Sequence, residues 1–335
     1  MKEKRQEKLT AMRSEFLFCY DARMCNPNGD PDENRPRIDR VTGRNLVTEF
    51  RLKRTVRDYL QKQMGKEIFL REELADEKGA IKTIDDLAGE YTKGRKKEKK
   101  KTLRESLLGD YVDLRLFGLL FAVPDLHFKQ TGPVQFAIGQ SLHKVEEMPL
   151  RMTRVVPTRE EAKAGAFGEK SILRYSFITF HGFLNDHVAK EVNLSEEDVS
   201  DMMRAMWFGT TDLSTTSKYG QQSRLLLRVK YKNPYTYIGD LDRTITLDSS
   251  IDQEKLEDIY QIILNTSGLF RVLTDNRADL QEVDWASDND LRCKRDATLG
   301  SFGELTQAWA TETRVNVVDL LDGWRRQRVE RTEAS

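Results

Sequence analysis

Arg224-Leu225-Leu226-Leu227-Arg228-Val229-Lys230-Tyr231 is the stretch on which the fold turns. Leu225, Leu227, Val229 and Tyr231 make one face of a strand, and Arg224, Leu226, Arg228 and Lys230 make the other. A half-buried strand with a largely basic open face is what a sheet turned toward nucleic-acid phosphates needs. Working back along the chain, Ile172 to Phe183 alternates as a longer strand and Pro133 to Leu142 as another. Residues 14–23 alternate too: Phe16, Phe18, Tyr20 and Ala22 face one way, Leu17 and Cys19 the other. Apolar spacing predicts a helix from about Asn45 to Gln63, with Val47, Phe50, Val56, Tyr59 and Leu60 as its buried stripe. Ser195-Glu196-Glu197-Asp198 has capping-box form and opens a second helix, whose Val199, Met202, Met203 and Met206 read as core. Asp113 to Val123 reads as a short buried helix or a helix–strand junction. Once a charged insertion at 65–110 and an excursion at 145–170 are set aside, the order is βαββαβ. That is an α+β chain in the ferredoxin-like arrangement shared by RNA-recognition domains. Residues 232–335 add a helix near Gln253–Leu264 and an acidic stretch.

The 335 residues carry 55 Lys+Arg and 55 Asp+Glu, a net charge of zero. Clustering matters more than the total. Residues 93–104 hold eight basic residues and one acid. Arg35, Arg37, Arg40, Arg44, Arg51, Lys53, Arg54 and Arg57 face only Asp39 and Glu49 in their segment. Asp275 to Asp290 holds six acids and one base. Basic and acidic patches of this kind neutralise each other within one molecule or meet across neighbouring copies. An aromatic content of 9% excludes a disordered chain. The longest apolar run, Phe117 to Val123, is seven residues, too short to span a bilayer. Without a signal peptide, and with three cysteines (Cys19, Cys25, Cys293) that fit no zinc spacing, the chain reads as a cytoplasmic protein with reduced thiols.

No catalytic constellation emerges. The four histidines form no H-E-x-x-H, and there is no phosphate loop or G-x-S-x-G elbow. His181 sits in an apolar strand and reads as a hydrogen-bonded sheet residue. Asp21, Asp30, Asp32 and Asp39 crowd the loop after the first strand. Two readings stand: carboxylates positioning Mg²⁺ for backbone cleavage, or turn-shaping acids paired with Arg35, Arg37 and Arg40. The cations on the first helix, Arg51, Lys53, Arg54 and Arg57, suit a phosphate backbone held without base reading.

Asp21-Ala22-Arg23 followed by Asn26-Pro27-Asn28-Gly29-Asp30-Pro31, then Arg35-Pro36-Arg37-Ile38-Asp39, form the start of a longer pattern. Leu46-Val47-Thr48 with Leu52-Lys53-Arg54-Thr55-Val56-Arg57 continue it, as do Asp113-Leu114-Arg115-Leu116-Phe117-Gly118 and Gly132-Pro133-Val134-Gln135-Phe136. Phe180-His181-Gly182-Phe183 and residues 223–229 complete it. Together they resemble the backbone subunit of CRISPR Cascade, the Cas7 family of the RAMP superfamily, closest to the type I-B branch with type I-C next.

The resemblance implies a non-catalytic guide-RNA (crRNA) binding subunit that needs no cofactor or metal. Its RRM-like palm is expected at 14–64, 133–144 and 171–231, with fingers at 65–132, a thumb hairpin at 145–170 and a palm elaboration at 232–335. Copies are expected to stack head to tail along the guide, leaving bases free to pair with target DNA. Their neighbours would be the large, small, Cas5-type and Cas6-type subunits. Thr48, Lys53 and Arg57 are expected on guide phosphates, joined by Asn28, Arg37 and Arg44. Met152, Arg154 and Phe167 are expected to wedge a kinked nucleotide, with Lys218 and Arg224 on the palm edge. The superfamily also implies an alternative, a Mg²⁺-dependent endoribonuclease using Asp30 or Asp32. A filament-forming structural protein without RNA is a further one.

Overall fold

The computed structural model describes residues 9–75, 80–93, 95, 100–123, 126–153 and 167–324. In chain order the elements begin β1 (Ser14–Cys25), β2 (Arg44–Val47), α1 (Glu49–Lys62), α2 (Ile84–Lys93), α3 (Lys100–Asp110) and α4 (Val112–Phe117). They continue with β3 (Gly118–Val123), β4 (Leu126–Thr131), β5 (Val134–Phe136), β6 (Gly139–Lys144), β7 (Glu147–Thr153) and β8 (Phe167–Leu184). Next come α5 (Asp186–Glu191), α6 (Glu196–Thr211), β9 (Gln221–Tyr231), β10 (Thr246–Leu247), β11 (Ile263–Asn265) and α7 (Ser267–Asp275). The last are β12 (Leu280–Ser287), β13 (Arg292–Arg295), β14 (Thr298–Ser301), α8 (Phe302–Thr313) and β15 (Val317–Asp319).

A mixed α/β architecture results. The principal sheet runs β15-β12-β9-β1-β8-β6-β2, with β5 and β7 also paired to β8. β1 lies antiparallel between β8 and β9, and β6 is antiparallel to β8. β7 pairs with β8 from Glu147↔Leu173 out to Thr153↔Phe167. Thr48 caps α1, its Oγ1 accepting from Arg51 N at 3.3 Å. Ser195 and Asp198 form the capping box that starts α6.

Alternation along β1 sorts its side chains into two cores. Phe16, Phe18, Tyr20 and Ala22 pack with Val56 and Leu60 of α1 and Met202, Met203 and Met206 of α6. Each such buried side chain contributes roughly 1.5–3 kcal/mol. Leu17 and Cys19 join Leu225, Leu227, Val229 and Tyr231 against Phe270 of α7 and Phe302 and Trp309 of α8. The C-terminal segment is therefore a second layer on the sheet.

That layer corrects the reading of residues 224–231. β9 is buried on both faces: Arg224 is 8% exposed and Arg228 2%. The row of cations is neutralised internally. Arg224 pairs with Asp21 at 3.0 Å and Asp288 at 2.6 Å, Arg228 with Glu196 at 2.6 Å, and Lys230 with Glu282 and Asp284, both at 2.8 Å. Three of these acids belong to the acidic stretch 275–290, which β12 lays against β9. The acidic stretch is thus met by the cations of β9 rather than by the basic patches at 35–57 and 93–104.

Two further expectations change. Phe50 is 71% exposed rather than part of the helix stripe. No α-helix covers 253–264. Side chains capture the backbone there, with Gln261 Oε1 accepting from Glu257 N at 2.7 Å and Asp258 N at 3.2 Å, and Asp252 Oδ1 accepting from Glu254 N at 3.2 Å. The α-helix forms later, as α7. Among the described residues no helix is long and apolar enough to cross a membrane.

Candidate nucleic-acid interface

The loop between β1 and β2 folds on its own polar groups. Asp30 N donates to Arg35 O at 2.8 Å and Arg37 N to Asn28 O at 3.2 Å. Asn26 Nδ2 donates to Asn34 O at 2.7 Å. A Cβ on Gly29 would lie 2.0 Å from Asn34 Oδ1, so a larger residue there would have to displace that side chain. Asn28 ties the loop to α1: its Oδ1 accepts from Thr48 N at 2.8 Å and Thr48 Oγ1 at 3.0 Å. The loop acids shape turns. Asp30 accepts from Glu33 N at 2.8 Å, and Asp39 from Val41 N at 3.1 Å and Thr42 Oγ1 at 2.6 Å. These donors hold both carboxyls below the usual carboxylate range, Glu33 N–H acting most on Asp30 and the Thr42 hydroxyl most on Asp39. Asp21 is buried, receives the Tyr175 hydroxyl at 2.9 Å and has its pKa raised by that burial.

The expected open row of cations on α1 is also corrected, because most of it is engaged. Arg57 Nε lies 3.0 Å from Asp113 Oδ2, a fully buried carboxylate that also accepts from Phe69 N at 2.9 Å and Leu70 N at 3.1 Å. Arg54 pairs with Asp58 at 2.8 Å and Glu72 at 2.7 Å. Lys53 is 8% exposed; its Nζ donates to Gln135 Oε1 at 3.1 Å and sits 5.5 Å from the Phe117 ring centroid. Its pKa is lowered by burial.

Arg51, on the first turn of α1, differs. It is half-buried near Tyr20 and forms no ion pair with a described carboxylate. Lys218 approaches the same place, its Nζ donating to Asn26 O at 2.7 Å. Lys170 of β8 donates to Thr216 O at 2.5 Å. Burial, with the charges of Arg51 and Lys170 nearby, pulls the Lys218 ammonium down to about 8. Arg51 is lowered as well, chiefly by burial. Beside the capped start of α1, Lys170 and Lys218 therefore meet backbone carbonyls, and among the described residues none of the three cations forms an ion pair, Asp58 being only a more distant attraction on Arg51. Such a site stabilises a phosphate that enters it.

Other expected site residues fall around this cluster or apart from it. Among the described residues the Arg37 Nε is buried without a hydrogen-bond partner. Arg44 is exposed on β2 at the end of the principal sheet, opposite Lys144. Arg224 is committed to Asp21 and Asp288. The backbone of Met152 faces Gly168 and that of Phe167 faces Thr153 in the β7–β8 ladder, while Arg154 lies outside the described residues. Arg51 was visible in the sequence as part of an i+3 row but was not distinguished from its paired neighbours, and Lys170 carried no local signal. Among the described residues, the grouping of three donors able to hold a metal is His181, Asp240 and Asp242; Asp30 and Asp32 are not in it.

Comparison with known proteins gives concordant matches. The family profile for CRISPR-associated protein Cas7 matches residues 12–266. A CRISPR-associated protein Cas7 from Haloferax volcanii is 33% identical over 287 residues, spanning 79% of this chain and 83% of that protein. A chain from a CRISPR RNA-guided surveillance complex in a pre-nicking state superposes with a TM-score of 0.54 over 90% of this chain and 100% of its own, at 14% identity. At that identity the likeness is one of fold.

Proposed function

The chain belongs to the Cas7 family of CRISPR-associated proteins, and on that premise we propose that it is a non-catalytic, guide-RNA-binding backbone subunit of a type I surveillance complex, closest to the I-B branch. The observation that carries this reading is the cluster of Arg51, Lys170 and Lys218 beside Asn28 and Thr48, which forms no ion pair among the described residues. In this reading the cluster holds a guide phosphate, and Arg44 and Lys144 at the sheet edge extend its track. The strand sequence β9-β1-β8-β6, with α1 and α6 as crossovers, supports a ferredoxin-like palm at 14–64, 133–144 and 171–231. Residues 65–132 are then fingers and 232–335 the palm's second layer. The β7–β8 ladder supports a thumb at 145–170, with Met152 and Phe167 near its distal end, and Met152, Arg154 and Phe167 remain the residues proposed to wedge a nucleotide. Copies stack head to tail along the guide in the cytoplasm, beside the large, small, Cas5-type and Cas6-type subunits, and the guide's free bases pair with target DNA.

The test is binding of the full chain to labelled single-stranded RNA across a salt series, with and without Mg²⁺, followed by a gel for RNA integrity. The expected result is intact RNA and affinity that falls steeply with salt, by about 0.7 log units per log unit of salt for each phosphate contact. Mg²⁺-dependent cutting that Asp30→Ala or Asp32→Ala abolishes would replace this reading with the nuclease one. Absence of RNA binding at low salt, alone and with sister subunits, would end both.

A further inference from the structure

On the opposite face of the sheet from α1 and α6, His181 of β8 meets the segment that follows β9. One ligand atom each from His181, Asp240 and Asp242 lie within 4.8 Å of one another. Behind the histidine is Glu15 of β1, whose side chain is fully buried. Its carboxylate accepts from His181 Nε2 at 2.8 Å, Gly239 N at 2.9 Å, Ile238 N at 2.9 Å and the Tyr231 hydroxyl. In the neutral tautomer whose Nε2–H donates to that carboxylate, Nδ1 is the unprotonated nitrogen. Nδ1 is then left with a free lone pair. A histidine oriented by a carboxylate through its other nitrogen is the usual arrangement behind a metal ligand. A second feature lies on the same strand face. Thr179, two residues before His181, is 5% exposed, and its Oγ1 finds no nitrogen or oxygen partner. Its hydroxyl lies against the Cys19 thiol, and Asp242 is near enough to act on that thiol's charge.

We infer that His181, Asp240 and Asp242 bind a first-row divalent cation that pins the segment after β9 to the central strands. One imidazole and two carboxylates suit Zn²⁺ better than Mg²⁺, which prefers an all-oxygen shell. Ligands about 2.0–2.2 Å from zinc stand about 3–4 Å apart, so the group closes by a small inward movement. Asp240 supplies it: the residue is exposed, and its contact with Arg243 is a loose surface pair at 3.7 Å. The role is structural, and it is independent of the guide-RNA reading.

The experiment is titration of the full chain with ZnCl₂ after EDTA treatment and exchange into chelator-free buffer, read by calorimetry and by thermal unfolding. One ion per chain is expected, with a Tm rise of about 4 °C at 100-fold excess over Kd. Affinity should fall at least ~10-fold in the Asp240→Asn/Asp242→Asn double variant and in His181→Gln. Millimolar Mg²⁺ should not compete. The double variant should keep the parent's circular dichroism and RNA affinity, which separates failure of this site from failure of the RNA reading. Absence of one-to-one binding overturns the inference. So does binding that is unchanged in both variants, which would assign the zinc to His127 or His187 as an adventitious ion.

Discussion

Arg51 and Arg57 lie six positions apart on α1, and the structure gives them opposite roles. Arg57→Ala removes a guanidinium that is 11% exposed from a carboxylate that is fully buried, at 3.0 Å. Asp113 would be left charged beneath two backbone N–H donors with its cation gone. Breaking a buried pair from one side costs about 3–5 kcal/mol. At about 1.4 °C per kcal/mol for a chain this long, Tm should fall by about 4–7 °C. Arg51→Ala breaks no ion pair with a described carboxylate and relieves repulsion with Lys218, so stability should change by less than about 1 kcal/mol. Its effect should appear on RNA instead. Loss of a charge-assisted phosphate contact of about 1.5–3 kcal/mol weakens binding roughly 10–100-fold and flattens the log–log salt slope by about 0.7. Thermal unfolding and fluorescence anisotropy on labelled RNA, run on both variants, give the four readings. If Arg57→Ala keeps its Tm while flattening the salt slope, and Arg51→Ala does neither, the division between structural and phosphate-binding cations is wrong.

Lys218 gives a pH signature: its folded pKa of about 8 lies below the free value of 10.5, so the unfolded chain binds more protons between those values. This group's contribution to stability therefore rises as pH climbs through that window, while RNA, which needs the ammonium, binds more weakly; anisotropy at pH 7 to 9 should show a step that Lys218→Arg removes. Gly118→Ala should destabilise by about 3 kcal/mol or more in urea unfolding, because φ is +68° and the added Cβ would lie 2.1 Å from Gln130 O and 2.3 Å from Gly132 N. Cys19 and Cys25, buried and pushed up to about 12, should resist a thiol reagent at pH 8 until the chain is unfolded; rapid labelling of native protein would contradict their placement.

Much of the framework was legible because its signals are local. The two-residue alternation of Phe16, Phe18 and Tyr20 against Leu17 and Cys19 sorted β1 between two cores before any partner was known. Ser195 and Asp198 announced α6, and its methionines lie in the core. The turn chemistry of Asp30 and Asp39 was likewise contained within a few residues.

Charge state in the folded chain was not legible in the same way. Arg228 finds Glu196 from 32 positions away, Lys230 finds Asp284 from 54 and Arg224 finds Asp288 from 64. These pairings depend on which strand lies beside which, and on a second layer whose helices carried little pattern. Sequence counts cations; only the tertiary structure decides which of them are already neutralised. Periodicity and caps arise from bonds spanning a few residues, whereas the surplus positive charge of Arg51, Lys170 and Lys218 arises where β8, α1 and the segment before β9 converge.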